Sequence, residues 1–349
     1  MRLFRLLMIS AALFPAAAFA DPAPGPASNA ATESLAFADN FAVPRFKAVQ
    51  AAAHAQESAW ITFCADRARG NVESLKKAYN DLGDAWSDVE IVRIGPAAAE
   101  MRVERFNWWL DRTDATGKAL TGMLAVADAN DLMPEKLASG SVAGQGLPVI
   151  ERLLYPAAFK GKDGARRCAV GSAVARGQAI IADQIVGDWT AADGTRAALA
   201  DNTRWKFAFA DAKEAASVML TDLAAGLEGL KDFKVPMVFH DAANAKAPRL
   251  TEAWRSGRTL RDIGRNLAAI REGLTYFTAN ATAERKQMIA AAFDDAQKSL
   301  AAVEAAKGPA RVDAAKAAIV SFTALMQTAK ALLPEATGLT LGFNNLDGD

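Results

Sequence analysis

Cysteine and histidine are scarce in this chain of 349 residues, which contains two of each. The histidines are His54 and His240, so a zinc site with three histidine ligands is excluded. A mixed metal site would need both histidines or several carboxylates. The cysteines, Cys64 and Cys168, lie 104 positions apart. In an oxidising compartment we predict a disulfide between them, which would contribute on the order of 4 to 5 kcal/mol; two separate buried thiols are the alternative.

An excess of charge and the common catalytic signatures are also missing. The chain has 40 basic and 40 acidic side chains, which gives no basic surplus for nucleic-acid binding. It contains no G-x-S-x-G elbow, no glycine-rich phosphate loop and no H-E-x-x-H pair. The sequence therefore excludes the usual patterns of a serine hydrolase, a nucleotide-binding enzyme and a zinc protease of that class.

The first 20 residues have the pattern of a secretory signal peptide. Arg2 and Arg5 precede an apolar run from Leu6 to Phe14, and small residues form an A-x-A cleavage site that ends at Ala20. The run is shorter than the roughly 20 residues of a membrane span, and we expect no transmembrane segment later in the chain. We predict an exported, periplasmic protein in which residues 21–34 form a disordered leader.

The remaining chain is predicted to be helical. It is rich in alanine, and apolar residues recur at spacings of three and four, as in the cores of helical bundles. We predict an all-α fold of two tandem antiparallel bundles, formed by residues 35–188 and 189–349. The third helix is expected to run from about Ala97 to Ala127 through Trp108 and Trp109.

The segment GQGLPVIERLLYP at residues 144–156 combines backbone-bending residues with one acid in an apolar run. Gly144 and Gly146 can adopt positive φ angles, and Pro148 is tolerated in the first turn of a helix, which predicts a short buried helix after it. Glu151 would point from that helix into the protein. A buried carboxylate needs a cation, hydrogen-bond donors or a metal. The segment is therefore either a structural kink with a satisfied acid or part of a binding site.

Each histidine has an acidic neighbour in the sequence. His54 and Glu57 have the i, i+3 spacing that could bring both to one cation, although a solvated pair is the alternative. His240 and Asp241 follow Pro236 in a stretch that we predict to be irregular, where they form either a ligand pair or a surface turn.

Four arginines share one face of the helix predicted between Thr251 and Phe277. Their spacings of three, three and four are typical of a solvated surface with salt bridges. They are Arg255, Arg258, Arg261 and Arg265.

Five segments carry a resemblance to a known family. They are the helix that leads into Phe63-Cys64, Ile94-Gly95-Pro96, Gly146 to Tyr155, Trp254 to Arg258, and Leu341-Gly342-Phe343 running into Asp347-Gly348-Asp349. With them, nearly the whole exported chain resembles the imelysin-like family of exported bacterial proteins. The resemblance implies a two-domain all-helical fold with a site in a cleft between the bundles. It also links the chain to metallopeptidases and to iron-regulated uptake, through the hallmark motif G-x-H-x-x-E.

Here the glycine and the acid of that motif are Gly146 and Glu151, but the histidine position holds Pro148, which cannot bind a metal. Our first hypothesis is a non-catalytic envelope protein whose cleft near Glu151 binds a small ligand, a metal or an envelope protein. The second is a metallopeptidase that holds iron or zinc through Glu151, and a structural role is the third. The candidate binding residues are Gly146, Pro148, Glu151, Arg255, Ser256 and Arg258. The candidate metal ligands are His54, Glu57, Glu151 and His240.

Overall fold

The computed structural model describes residues 29–126, 129–155, 163–201 and 209–342, and the described residues form helices and no strands. The predicted all-α fold is confirmed. The helices of the first half are α1 (Ala30–Phe37), α2 (Val43–Ala65), α3 (Val72–Ser87), α4 (Arg102–Phe106), α5 (Ala115–Ala125), α6 (Pro134–Ala138), α7 (Leu147–Leu154) and α8 (Asp163–Thr190). Those of the second half are α9 (Thr195–Ala200), α10 (Ala212–Gly229), α11 (Val235–Ala243), α12 (Thr259–Phe277), α13 (Ala283–Ala305) and α14 (Pro309–Thr337).

The first half is built on the long antiparallel contact between α2 and α8, with α3 and α7 packed beside them. Trp60 of α2 is fully buried, and a Cβ added at Gly171 of α8 would lie 2.2 Å from its ring. The absence of a side chain at Gly171 thus lets α8 rest directly on the indole. A disulfide joins Cys64 of α2 to Cys168 of α8, with a Cα–Cα distance of 5.6 Å, which confirms the predicted bridge.

The second half is built on α13 and α14, with α11 against α14 and α12 against α10 and α13. By length and composition, α14 is the one described helix that could cross a membrane, which is consistent with our expectation of no transmembrane segment. One such helix is weak evidence for a span. Its buried side chains, which include Phe322, Met326 and Leu333, form the stripe of a core helix packed on its neighbours.

The first helix packs with the second half of the chain. α1 lies against α10 and α12, and the Phe37 ring lies 5.4 Å from that of Phe277 and 6.0 Å from that of Tyr276. Because α1 begins at Ala30, the last residues of the predicted disordered leader are helical. The predicted signal peptide and residues 21–28 lie outside the described residues, as do residues 343–349.

The arginine face of α12 contacts α3 through salt bridges and is only partly solvated. Arg258 and Arg261 both pair with Asp84, and Arg265 pairs with Asp88 at 2.5 Å. Arg258 is only 4% exposed. The prediction of salt bridges is right and that of a solvated face is wrong for Arg258, because the acids that attract these arginines lie on a packed helix. This contact joins the two halves.

The predicted helix from Ala97 to Ala127 is interrupted. α4 ends at Phe106, residues 107–113 are not helical, and α5 begins at Ala115. Asp111 starts α5, because its carboxylate accepts the backbone N–H groups of Ala115 at 2.7 Å and Thr116 at 2.9 Å. Trp108 and Trp109 therefore lie on a connecting segment beside the second half of the chain.

Candidate functional site

The helix α7 begins as the sequence predicts, with Pro148 in its first turn, but the glycine before it serves another purpose. Gly146 has a φ angle of −112°, which is open to other residues. The side of Gly146 that would carry a side chain faces the end of α4, since a Cβ at this position would lie 2.2 Å from the carbonyl oxygen of Phe106. The glycine therefore brings α7 against residue 106, and this close contact fixes the direction in which Glu151 projects.

The carboxylate of Glu151 is buried and bound to the segment that precedes α12. Its Oε1 accepts hydrogen bonds from the backbone N–H of Ser256 at 2.9 Å and from the Ser256 hydroxyl at 2.8 Å. Its Oε2 lies 3.9 Å from Nη1 of Arg255. The Tyr79 hydroxyl lies 3.5 Å from Ser256 Oγ. Three of the predicted binding residues thus meet in space, because Glu151 contacts Arg255 and Ser256 although it precedes them by about one hundred positions.

Two effects of opposite sign act on the pKa of Glu151. Burial raises it, because the charged form loses its hydration, while the hydrogen bonds from Ser256 and the charge of Arg255 act in the other direction. Burial prevails and the pKa is raised above the ordinary value for a glutamate. The acid is held by donors that stabilise its anion, yet it ionises less readily than an exposed glutamate.

The segment of residues 249–258 owes its shape to Asp241. This carboxylate accepts the backbone N–H groups of Leu250 at 2.9 Å and Thr251 at 3.1 Å, and the Thr251 hydroxyl at 2.7 Å. Positive φ angles at Ala253 (47°) and Gly257 (76°) then turn the chain back towards α12. The turn presents the N–H of residue 256 to α7.

A buried ionic cluster lies beneath this segment. The ammonium group of Lys234 lies 2.5 Å from Glu90 and 2.7 Å from Glu252, and donates to Asn266 at 2.7 Å. Burial alone would lower the pKa of Lys234, but the negative charges of Glu252 and Glu90 outweigh it and raise this pKa. Asn107 donates to Glu252 at 2.5 Å and so ties the segment to the chain that follows α4.

Arg258 occupies the floor of the site. Its guanidinium donates to the carbonyl oxygen of Asn80 at 3.0 Å, to Asp84 at 2.7 Å and to Asp262 at 2.6 Å. A Cβ on Gly83 would lie 2.8 Å from Arg258 Nε, so the arginine lies flat on α3. All its contacts are internal, which assigns it a positioning role.

A cavity of about 70 Å³ lies between α3, α7 and residues 249–258. Pro148, Glu151 and Arg255 line it, together with Trp86 and Trp108. The Nε1 atoms of these two indoles are buried and have no hydrogen-bond partner among the described residues. Buried donors in proteins are nearly always paired with an acceptor from the protein or from a bound molecule. The cavity is therefore lined by two indoles, by the buried acid Glu151 and by the cation of Arg255.

The proposed metal ligands do not come together. His54 contacts Asp183 at 2.8 Å and Glu57 at 3.6 Å, between α2 and α8. His240 contacts Asp241 at 3.0 Å and lies on α11, so the irregular stretch predicted around it is helical. Within the described ranges no group of three or more His, Cys, Asp or Glu side chains could hold a metal ion. The metal set predicted from the sequence is therefore not assembled with Glu151.

Sequence reasoning missed Tyr79, Trp108 and Asp241 as parts of the site. Trp108 was assigned to a helix that the structure interrupts, and Tyr79 belongs to an ordinary apolar stripe of α3. Asp241 was noted only as a neighbour of His240. No local signal indicated the role of Asp241, because the N–H groups that it accepts lie nine and ten positions further along the chain, whereas the turn motifs of aspartate involve residues two positions away.

A family profile and two solved structures place the chain among known proteins. The imelysin family profile matches residues 42–333. An imelysin-like protein from Psychrobacter arcticum 273-4 aligns with a TM-score of 0.72 at 20% identity, over 92% of this chain and 100% of that one. A protein from Parabacteroides distasonis ATCC 8503, provisionally named as an iron-regulated protein A precursor, aligns with a TM-score of 0.72 at 15% identity, over 93% of this chain and 98% of that one. A search of curated proteins found no match.

Proposed function

We propose a function from the premise that this chain belongs to the imelysin family, as the match over residues 42–333 shows. The proposed function is that of a non-catalytic binding protein of the cell envelope, whose ligand enters the cavity between α7 and residues 249–258. The carrying observation is the set of side chains that line this cavity: the buried carboxylate of Glu151, the indoles of Trp86 and Trp108, and the guanidinium of Arg255, which donates no hydrogen bond within the described residues. An unsatisfied buried donor costs about 1 to 3 kcal/mol, a cost that a bound acceptor removes.

The donor set does not fit the metal that the family's peptidase classification implies. Pro148 stands where the motif has histidine and offers no lone pair to a cation. Oε1 of Glu151 already accepts two hydrogen bonds from Ser256, and Oε2 faces the guanidinium of Arg255. A cation at Oε2 would lie beside that positive charge. The residues present therefore favour binding over metal-assisted hydrolysis.

The link to iron comes from the relatives, one of which is named for regulation by iron. That name describes control of the protein and not its ligand. With the signal peptide predicted at residues 1–20, it supports a periplasmic role associated with iron uptake. N-terminal sequencing of the exported protein should give Asp21 as the first residue, and an intact Met1 would contradict the predicted export signal.

The function is tested by ligand binding with a donor-deletion variant. A panel of small anions, neutral solutes, cations and iron complexes is screened by thermal shift, and at least one class should raise Tm. Trp108→Phe should weaken that binding, because it replaces an indole that lines the cavity with a smaller ring. Trp189→Phe is the control, since Trp189 has an unpaired buried Nε1 but packs on Phe46 outside this cavity.

Peptidase activity is tested separately by metal analysis and casein cleavage on the wild type and Glu151→Gln. We expect no stoichiometric zinc or iron and no cleavage in either protein. One metal ion per chain that disappears in Glu151→Gln together with proteolysis would overturn the non-catalytic proposal. A panel in which no ligand changes Tm would remove its binding component.

A further inference from the structure

A second and larger depression adjoins the cavity. It has a volume of about 610 Å³ and shares the side chains of Arg152 and Arg255 with the smaller cavity. We call it the basic groove, because its wall carries Lys118, Arg152, Arg167 and Arg255 against a single carboxylate, Asp114. Its volume lies within the range of about 300 to 1,000 Å³ that is typical of sites for small molecules.

The positive charges of the basic groove are only partly neutralised. Arg152 pairs with Asp114 at 2.5 Å and lies 3.8 Å from Asp111, and Arg255 lies 3.9 Å from Glu151. In the described part of the chain, neither Lys118 nor Arg167 forms a hydrogen bond or an ion pair. Such a surplus is notable in a protein whose basic and acidic side chains are equal in number. A concave surface that carries one sign of charge concentrates ions of the other sign.

Arg255 is the cation of the basic groove whose charge is least well compensated by hydrogen bonds. Its guanidinium donates no hydrogen bond within the described residues, and its nearest carboxylate oxygen, on Glu151, lies 3.9 Å away. Burial and the positive charge of Arg152 lower the pKa of Arg255, against the opposing effect of the carboxylates of Glu151, Asp114 and Asp111. Two guanidinium groups are thus held near each other in a half-buried place, where an anion between them would relieve their repulsion.

The orientation of Arg255 is fixed in advance. Its guanidinium lies 4.2 Å from the centre of the Trp254 ring, which restricts the side chain before any ligand arrives. Guanidinium groups bind carboxylate and phosphate oxygens through pairs of parallel hydrogen bonds. Leu120, Leu124 and Tyr155 supply an apolar part of the same wall. The groove therefore combines oriented cations with a surface for a hydrocarbon or aromatic body.

We propose that the basic groove binds a small organic anion, with Arg255 and Arg152 holding its carboxylate or phosphate group and the wall at Tyr155 contacting its apolar body. This inference rests on the proposed binding function and names the class of its ligand.

The test is isothermal titration calorimetry of the full exported chain with four probes of similar shape. Phenyl phosphate and benzoate carry the anion, benzamide is neutral and benzamidine is cationic. Phenyl phosphate should bind with a Kd of roughly 1 mM or tighter and weaken as salt is added. Benzoate should also bind if a carboxylate group is sufficient. If phenyl phosphate binds and benzoate does not, the ligands of the groove are phosphate esters. Benzamide and benzamidine should not bind.

Variants locate the bound anion. Arg255→Gln should weaken phenyl phosphate binding by about tenfold or more, because it removes charged donors from the anion. Lys118→Glu changes an exposed residue, so it retains the fold while reversing a charge of the groove, and should weaken binding by a similar factor. Arg112→Gln is the matched control, since Arg112 is an exposed arginine near α5 that does not line the groove.

Two results would overturn the proposal. Equal affinity for benzamide and phenyl phosphate would show a groove that does not select anions, while the binding function would stand. Unchanged phenyl phosphate affinity in both Arg255→Gln and Lys118→Glu would place the anion elsewhere. The Trp108→Phe experiment tests the smaller cavity, because Trp108 does not line the basic groove. The proposed function and the proposed ligand class can therefore fail independently.

Discussion

At the scale of single residues, the site depends on one carboxylate that meets one serine. Glu151 and Ser256 were both candidates from the sequence, because the first is an acid in an apolar run and the second lies in a segment that resembles the family. Their contact could not be predicted, since nothing in local patterns reports which residues separated by 105 positions meet. The same holds for Trp108, whose apolar side chain fits a helix core as well as a cavity wall.

We predict that Ser256→Ala destabilises the protein by about 1 to 3 kcal/mol, because the buried Glu151 carboxylate loses its hydroxyl donor and keeps only the backbone N–H. Urea unfolding at pH 7 measures the loss. Ser299→Ala is the control, since the Ser299 hydroxyl only donates to a carbonyl oxygen of its own helix. Equal stability of the two variants would show that the hydroxyl does not support Glu151.

At the scale of helices, hydrophobic spacing predicted the long elements and failed at the interruptions. The stripes of α2, α13 and α14 are buried as expected, because a regular apolar face leaves a helix only one way to pack. Residues 107–113 break the predicted third helix, because Asp111 captures the first N–H groups of α5. An aspartate inside a periodic stretch is equally compatible with an exposed helical position, so periodicity alone could not locate this break.

The placement of α7 gives a prediction with a control in the same segment. Gly146→Ala should be strongly destabilising, by roughly 3 kcal/mol or more, because its Cβ would overlap backbone atoms of Phe106 that cannot rotate away. Gly144→Ala should change stability by less than about 1 kcal/mol, since its Cβ would meet Ala119 at an ordinary 3.4 Å. Thermal unfolding of both variants compares them, and a similar Tm would contradict the close contact.

At the scale of the whole molecule, the two halves are joined by polar contacts that respond to pH. Asp222 of α10 accepts the backbone N–H of Arg93 from the first half at 2.7 Å. Burial raises the pKa of Asp222 from 3.8 to about 7, against the opposing effect of that hydrogen bond. The carboxyl group of Asp222 therefore binds its proton more tightly in the folded chain than in the unfolded chain.

It follows that the contribution of Asp222 to the free energy of unfolding is full below about pH 4 and declines as the pH rises to about 7. The slope is at most about 1.4 kcal/mol per pH unit. Asp222→Asn should flatten the stability profile between pH 5 and pH 7, measured by urea titration at each pH. Asp295→Asn, at an exposed position of α13, is the control and should leave the wild-type slope unchanged.

We retain the division into bundles of residues 35–188 and 189–349 as a proposal, with α1 as an element that packs across it. The all-α class and the disulfide were predictable, because alanine-rich periodicity and two isolated cysteines allow few other outcomes. The position of α1 was not, since its short apolar stretch carries no information about which helices it will contact.

The position of α1 also orders events during synthesis. A ribosome adds about 5 to 20 residues each second, so α1 emerges roughly 10 to 35 s before the first residue of α10. During that interval the rings of Phe37 and Phe41, which are buried in the finished protein, lack their native contacts with Tyr276 and Phe277. The helix α1 can therefore complete its packing only after its partners in the second half have been synthesised. Protection of these rings before that point affects how much of the protein reaches its folded state.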